Sequence, residues 1–290
     1  MKDNIITKDT YGDWCMPPES PELIHSADPS RITNGSLMST ALYYDLLRLM
    51  TEFANICGQD TDIPHYKELS TKMKEAYNAK FFDPATAQYD NNTVTANILS
   101  LRLGLVPKGY ERKVFQNIVD KTEKEFDSHV SCGVLGMQHL MRGLSENGRT
   151  DLAYRILTNT DYPSFGYMIR NGATTIWELW NGNTANPAMN SGNHVMLLGD
   201  LIIWYYEDLA GIRCCPGTVG YKKLWMAPVF PDGLDEIDAS YKSVYGEIRS
   251  AWSRKDGRFE WDITISGNTS AVVRIPKAFG VTVAKVAGIH

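Results

Sequence analysis

Residues 36–77 read SLMSTALYYDLLRLMTEFANICGQDTDIPHYKELSTKMKEAY. In the first half of this stretch apolar side chains recur at helical spacing, and Gly58 is placed to end the helix. A second helical pattern follows Asp62, with Pro64 in its first turn. Helical patterns with short connections then continue to Leu209, without a strand pattern between them. A repeated helix hairpin of this kind predicts an α/α toroid or a helical array.

The period of the apolar residues changes after Gly211. Residues 259–266 alternate between apolar and polar side chains, which predicts a half-buried strand. We expect a turn at Gly267-Asn268-Thr269 and expect residues 271–276 to return as the hairpin partner of that strand. Residues 241–252, which contain Gly246, are consistent with another strand pair.

These patterns predict two domains. Residues 1–212 would form a helical domain, and residues 213–290 a β-sandwich-like domain whose strands begin near Cys215-Pro216-Gly217. A closed two-sheet sandwich typically takes about 100 residues, so we expect the second domain to be incomplete.

Composition excludes several classes of function. The 290 residues are 43% hydrophobic and 22% charged, as in folded globular proteins. The net charge of −5 argues against a nucleic-acid partner, and no stretch approaches the roughly 20 apolar residues of a membrane span. Nucleotide-binding motifs and Cys/His clusters with zinc spacing are absent from the sequence, so neither a cofactor nor a metal is predicted. The five cysteines have no regular spacing, which favours buried free thiols.

The chemistry of the chain centres on residues 172–182, GATTIWELWNG. Glu178 stands between Trp177 and Trp180 in this segment. Tryptophan faces hold the apolar faces of sugar rings, and a glutamate among them can act as an acid or a base. An exposed surface glutamate is the alternative interpretation, and the seven Trp and fifteen Tyr of the chain are equally consistent with scattered core aromatics.

Two further segments carry candidate site residues. Residues 189–194, MNSGNH, begin the last long helical pattern, which spans residues 190–209. Asn190 and Ser191 would cap this helix and His194 would lie one turn inside it; alternatively, the cluster donates hydrogen bonds to sugar hydroxyls. Residues 11–14, YGDW, are a weak signal alone.

Together these segments resemble the bacterial α-L-rhamnosidases of glycoside hydrolase family 78. The resemblance is carried most strongly by residues 172–180, by Met189-Asn190-Ser191 with Asn193-His194, and by Ala210-Gly211-Ile212. The other matches are Tyr11-Gly12-Asp13-Trp14, Gly104-Leu105-Val106-Pro107, residues 132–144 and residues 163–168.

The resemblance implies an inverting hydrolase that removes terminal α-L-rhamnose from rhamnose-containing carbohydrates. It assigns the general base to Glu178, a contact with the rhamnose to His194, and a place near the sugar pocket to Trp14. Their neighbours are added as candidate sugar contacts: Asp13, Trp177, Trp180 and Asn193. The sequence departs from the family pattern at Leu179, where an arginine is usual, and at Gly192, where an aromatic residue is frequent.

The resemblance also implies a catalytic (α/α)6 barrel of six hairpins, followed by a small antiparallel β domain. The general acid of the family lies upstream of the segment matched by residues 11–14, and only ten residues precede Tyr11 here. We therefore expect about half of the barrel plus an incomplete β domain, with the missing N-terminal half of the same protein as a partner. Within the chain, Asp13 and Asp200 are candidates for the acid by elimination alone.

Two other functions remain open at this point. A non-catalytic carbohydrate-binding protein would keep the tryptophans and lack the acid. A toroid enzyme acting on a uronic acid would need Arg or Lys near the site, where Arg170 alone is present. Residues 1–7 contain no signal-peptide core, so the default compartment is cytoplasmic, with a periplasmic or secreted parent protein also open.

Overall fold

The computed structural model describes residues 1–9, 11–184 and 191–275. The α-helices of these residues are α1 (Gly35–Ile56), α2 (Ile63–Phe81), α3 (Val94–Arg102), α4 (Glu111–Asp120), α5 (Val134–Glu146), α6 (Thr150–Thr158), α7 (Phe165–Arg170) and α8 (Val195–Trp204). Two π-helical turns, Lys121–Glu125 and Tyr205–Leu209, continue α4 and α8. In this part of the chain, none of the helices combines the length and the apolar character that crossing a bilayer requires.

The predicted first hairpin is confirmed as α1 and α2, which pack against each other. The side chain of Asn34 caps α1 by accepting hydrogen bonds from the N–H groups of Ser36 and Leu37. Gly58 follows the helix with a φ of +68°, a left-handed conformation that glycine adopts without steric cost. Pro64 lies in the first turn of α2, as predicted.

Helix α3 is the most enclosed element of the helical part. Residues 94–100 are all buried, and the helix packs against α1, α4 and α5. This packing holds α5 in place, and the first turn of α5 supports the candidate site described below.

One short antiparallel hairpin, β1 (Phe82–Asp83) and β2 (Gln88–Tyr89), lies between α2 and α3, where no strand was predicted. The other strands follow the helices: β3 (Ile212–Cys214), β4 (Lys223–Met226), β5 (Glu236–Ser243), β6 (Gly246–Lys255), β7 (Arg258–Thr264) and β8 (Ser270–Val273). Strands β5, β6 and β7 form an antiparallel meander, and the predicted strand pair around Gly246 is confirmed as β5 and β6. The other sheet has the order β3-β4-β8. The mainly helical fold followed by a small, largely antiparallel sheet domain is thus present.

Two details of the β region differ from expectation. The first strand, β3, begins at Ile212, ahead of the predicted start near Cys215. The segment after the turn at residues 267–269 does not pair with β7: β8 runs parallel to β4, with Ala271 opposite Leu224, while β7 pairs with β6. The N–H groups of Ser270 and Arg274 donate to carbonyls of the β4 region, so the turn carries the chain across to the other sheet. Pro276, the last residue of the expected partner strand, lies outside the described residues.

The chain divides into two compact units. One contains Met1–Asn147 with Leu152–Leu198, and the other contains Gly148–Asp151 with Gly199–His290. In the second unit a buried apolar cluster joins the sheets: Ala210, Ile212, Leu224, Met226 and Ile248. The division between residues 212 and 213 stays a prediction.

The cysteines are free thiols, as expected. Cys15 and Cys132 are buried, Cys214 and Cys215 are partly buried, and Cys57 is exposed, so the expectation of burial is wrong for Cys57.

Candidate active site

Two of the motifs found in the sequence lie side by side. The N–H of Glu178 donates to the carbonyl of Ser191 at 2.8 Å, and the N–H of Ser191 donates to Oε2 of Glu178 at 2.9 Å. Ile176 lies two residues before Glu178, and its carbonyl accepts a hydrogen bond from the N–H of His194, three residues after Ser191, at 2.7 Å. Residues 175–178 and 191–194 therefore form one framework around the Glu178 carboxylate.

The third motif reaches the same carboxylate from the start of the chain. Nε1 of Trp14 donates to Oε1 of Glu178 at 2.8 Å. The indole is 38% exposed and contacts the ring of Tyr11 edge-on, at 5.7 Å between ring centroids. The structure thus brings Trp14, Glu178 and Ser191 together across 164 residues of sequence.

Asp13, the neighbour of Trp14, turns its carboxylate inward. It accepts hydrogen bonds from the N–H groups of Gly133 at 2.8 Å and Gly136 at 3.1 Å, and from the hydroxyl of Thr95. Burial raises the pKa of Asp13 above its ordinary value, an effect that these donors oppose. These contacts hold the Asp13 carboxylate at the start of α5, and its roles as a sugar contact and as a candidate acid stay predictions.

Trp180 also faces the interior rather than an open site. Its side chain is 1% exposed, its Nε1 donates to the carbonyl of Cys15 at 3.1 Å, and its ring packs edge-on against Phe165 at 5.0 Å. Phe165 begins α7, a helix that the sequence patterns did not predict, and this contact packs α7 against the segment that carries Glu178. Because the indole is enclosed, Trp180 is a structural anchor in the described residues and not a surface offered to a sugar.

The remaining candidates lie around Glu178. Trp177 is partly exposed and Asn193 is exposed. His194 is 7% exposed, and its Nδ1 has no hydrogen-bond partner in the described part of the chain. Its carbonyl accepts from the N–H of Leu198, so His194 lies at the start of α8 and not one turn inside it. Asn190, the other predicted cap, lies outside the described residues.

The environment of Glu178 favours its charged form. Partial burial raises its pKa, but the hydrogen bonds from Trp14 and Ser191 and the nearby His194 outweigh this, and the net pKa is lowered. A carboxylate with a lowered pKa is ionised at neutral pH and accepts hydrogen bonds only. Its chemistry is therefore that of a base or an acceptor, and not that of a proton donor.

Models of known protein families match almost the whole chain. The bacterial α-L-rhamnosidase six-hairpin glycosidase domain matches residues 1–209, and the bacterial α-L-rhamnosidase C-terminal domain matches residues 211–290. The chain belongs to the bacterial α-L-rhamnosidase family.

Curated relatives agree with this assignment. An α-L-rhamnosidase of Formosa agariphila is 32% identical over 281 residues, which are 95% of this chain and 29% of the relative. An α-L-rhamnosidase of an Alteromonas species is 32% identical over 289 residues, which are 98% of this chain and 31% of the relative. The chain thus spans under a third of the length of these rhamnosidases.

Solved rhamnosidase structures share the fold. The α-L-rhamnosidase of Streptomyces avermitilis, solved with L-rhamnose, superposes on 95% of this chain and 26% of its own, with a TM-score of 0.84 and 29% identity. The enzyme of Dictyoglomus thermophilum covers 96% of this chain and 30% of its own, with a TM-score of 0.86 and 31% identity.

Sequence reasoning missed the residues that support this rhamnosidase-family site. Thr95, Gly133 and Gly136 hold Asp13, and Asn181 donates to the carbonyls of Pro21 and Leu23 at 2.9 and 2.6 Å. Their only sequence signal was proximity to recognised motifs: Asn181 follows Trp180, and the two glycines begin the helix that carries part of the family resemblance.

The family departures occupy different settings in the structure. Leu179 is buried, whereas Gly192 is exposed, and no atom of the described residues lies within 4 Å of the point where its side chain would begin. Across the described ranges, no group of three or more His, Cys, Asp or Glu residues is arranged to hold a metal ion.

Proposed function

We propose that this family member acts in an inverting glycoside hydrolase that removes terminal α-L-rhamnose, with Glu178 as the general base. An inverting glycosidase needs one carboxylate to activate the attacking water and one carboxylic acid to protonate the departing oxygen. A glutamate that stays ionised at neutral pH suits the first of these roles.

The observation that carries the proposal is the way in which Glu178 is held. Trp14 binds one carboxylate oxygen and the N–H of Ser191 binds the other. Each carboxylate oxygen has two lone pairs, so each can accept one further hydrogen bond from a water molecule. The carboxylate is therefore oriented and charged, and it still has acceptor capacity for the water that it would deprotonate.

Sugar recognition is assigned to the residues beside Glu178. The partly exposed faces of Trp14 and Trp177 suit the apolar face of a deoxy sugar such as rhamnose. Nδ1 of His194, which has no partner among the described residues, and the exposed side chain of Asn193 would bind its hydroxyls. This division of roles uses aromatic surfaces for affinity and polar groups for orientation.

The general acid is proposed to come from a part of the enzyme beyond this chain, as in a barrel whose other hairpins complete the site. Helix α1 supports this proposal because Leu42, Leu46, Leu49, Phe53 and Ile56 are exposed along one side of it. Their spacing of four, three, four and three residues is that of a helix face that packs against another helix. Hydrophobic side chains in such a continuous row mark a surface that another part of a protein covers.

The test is hydrolysis of p-nitrophenyl α-L-rhamnoside by the full-length enzyme and by the isolated chain, each beside its Glu178→Gln variant. Loss of a general base lowers turnover by about 10²- to 10⁴-fold, and we expect that loss in the full-length variant. Glu75→Gln, an exposed glutamate on α2, is the matched control and should keep full activity.

Four results would contradict parts of the proposal. Full activity of the Glu178→Gln enzyme would exclude the base role, and release of α-rhamnose, seen by NMR in the first turnovers, would exclude inversion. Normal turnover by the isolated chain would place the acid within these residues. Binding of L-rhamnose without hydrolysis by the full-length protein would favour a carbohydrate-binding function instead.

A further inference from the structure

Two indole groups join the start of the chain to the Glu178 segment in opposite directions. Trp14 donates from the first segment to Oε1 of Glu178 at 2.8 Å, and Trp180 donates from the second segment to the carbonyl of Cys15 at 3.1 Å. Residues 13–15 and 178–180 are therefore clasped together by two N–H donors. Trp180 is buried, whereas Trp14 is 38% exposed, so packing around the Trp14 ring fixes its position less firmly.

Hydrogen bonds from the N-terminus of α5 hold the main chain of Trp14 and the side chain of Asp13 in place. The N–H of Val134 donates to the carbonyl of Trp14 at 2.7 Å, while Gly133 and Gly136 donate to the Asp13 carboxylate. The first N–H groups of a helix have no partner within the helix, and a carboxylate there is favoured by the helix dipole. Asp13 and Trp14 thus dock as one unit on this helix end.

The approach is too close for side chains on the helix. A Cβ at Gly133 would collide with the carbonyl oxygens of Asp13 and Trp14, and one at Gly136 would collide with the Thr95 hydroxyl that binds Asp13. Cys15 follows with a φ of +60°, an uncommon conformation for a residue other than glycine. The main chain of Asp13 and Trp14 therefore lies directly against the start of α5.

We propose that Asp13 is a positioning residue for Glu178: by capping the first turn of α5, it aims the indole N–H of Trp14 at the Glu178 carboxylate. The inference rests on the proposed function only in taking Glu178 as the reactive group. It predicts that loss of the Asp13 cap changes the ionisation of Glu178 although the two carboxylates share no direct contact.

The charges around Glu178 determine how the direction of a change in its pKa is interpreted. Among the described residues, the titratable groups that interact electrostatically with Glu178 include His194 and the thiol of Cys15, and Asp13 also acts on Cys15. Removing the negative charge of Asp13 would by itself lower the pKa of Glu178. Losing the hydrogen bond from Trp14 would raise it, because a donor to the charged form stabilises that form. A rise in the pKa of Glu178 therefore indicates that the hydrogen bond from Trp14 has been lost.

The experiment is an NMR pH titration of the 290-residue chain, with ¹³C in the glutamate carboxyls and ¹⁵N in the indoles. In the unsubstituted chain we expect the Trp14 indole resonance to follow the titration of Glu178, below the ordinary glutamate range. In Asp13→Asn we expect Glu178 to titrate at higher pH and the Trp14 indole to lose this coupling. Trp14→Phe, which removes the donor itself, should also raise the pKa of Glu178.

The matched control is Asp28→Asn. Asp28 also caps a helical turn, accepting from the N–H of Ser30 at 2.8 Å, but it is not among the groups that interact with Glu178. An unchanged Glu178 titration in a folded Asp13→Asn chain would overturn the proposal, as would an effect of equal size in Asp28→Asn.

A second variant decides the matter if Asp13→Asn does not fold. Thr95→Val removes one donor to Asp13, and we expect a smaller upward movement of the Glu178 titration. An unchanged pKa of Glu178 in a folded Thr95→Val chain would overturn the proposal. All of these readings are independent of hydrolysis, so an inactive enzyme would refute the proposed function and leave this result intact.

Discussion

At the scale of single residues, His194 offers the most direct test of sugar binding. It is a buried side chain whose Nδ1 has no partner within the described residues. A buried polar atom without a partner is costly, and a ligand hydroxyl that satisfies it gains about 1 kcal/mol, or a fewfold to tenfold in affinity. We expect His194→Ala to weaken L-rhamnose binding to the full-length enzyme by about tenfold, measured by calorimetry at a temperature where thermal unfolding shows the variant to be folded.

The control for this prediction is His129→Ala. Nδ1 of His129 lies 3.0 Å from the carbonyls of Phe126 and Asp127, so its loss should affect stability and leave rhamnose binding unchanged. Equal affinity of the His194→Ala and unsubstituted enzymes would remove His194 from the sugar site.

Residue identity alone predicted part of this site. The sequence indicated that Glu178 and residues 191–194 belong together, and the hydrogen bonds between them agree. It did not separate the two tryptophans: Trp14 meets the carboxylate, while Trp180, two residues from Glu178, packs inward. An aromatic residue beside a carboxylate serves equally as a sugar platform or a core anchor, and only tertiary packing decides between them.

At the scale of elements, the glycines of α5 test the docking of the first segment. A Cβ at Gly136 would collide with the Thr95 hydroxyl and lie 2.5 Å from Cβ of Cys132, so Gly136→Ala should destabilise the chain by about 1–3 kcal/mol. Gly199 in α8 has no atom of the described residues within 4 Å of its Cβ position, so Gly199→Ala should instead stabilise by roughly 0.5–1 kcal/mol. Denaturant unfolding of both variants measures the two changes in the free energy of unfolding, which should have opposite signs. Stabilisation by Gly136→Ala would refute the close approach of Thr95 and Cys132 to Gly136.

The elements also show what periodicity can and cannot predict. The apolar spacing of residues 36–57 predicted α1 to within one residue at each end, because apolar residues on one face of a helix recur at a spacing that can be seen in the sequence itself. The alternation in residues 259–266 correctly indicated β7, but not its neighbours. The alternation of a half-buried strand shows which side chains face inward. It does not show which strand is the partner: β8 pairs with β4 at the edge of a separate sheet, and no local sequence pattern encodes that choice.

At the scale of the whole molecule, the exposed row on α1 distinguishes the isolated chain from the full-length enzyme. In the isolated chain, Leu46→Gln and Phe53→Gln replace exposed side chains, and such changes alter stability by at most about 0.5 kcal/mol. If other helices of the enzyme cover this face, the same changes bury polar groups and should each cost about 2 kcal/mol or more in the full-length protein. Leu47→Gln, at a buried position of the same helix, should destabilise both forms and serves as the control. Thermal unfolding of the three variants in both forms gives the comparison.

Equal tolerance of Leu46→Gln and Phe53→Gln in the two forms would mean that the face stays open to solvent. The general acid would then have to reach Glu178 by a route that does not involve helices packed on α1.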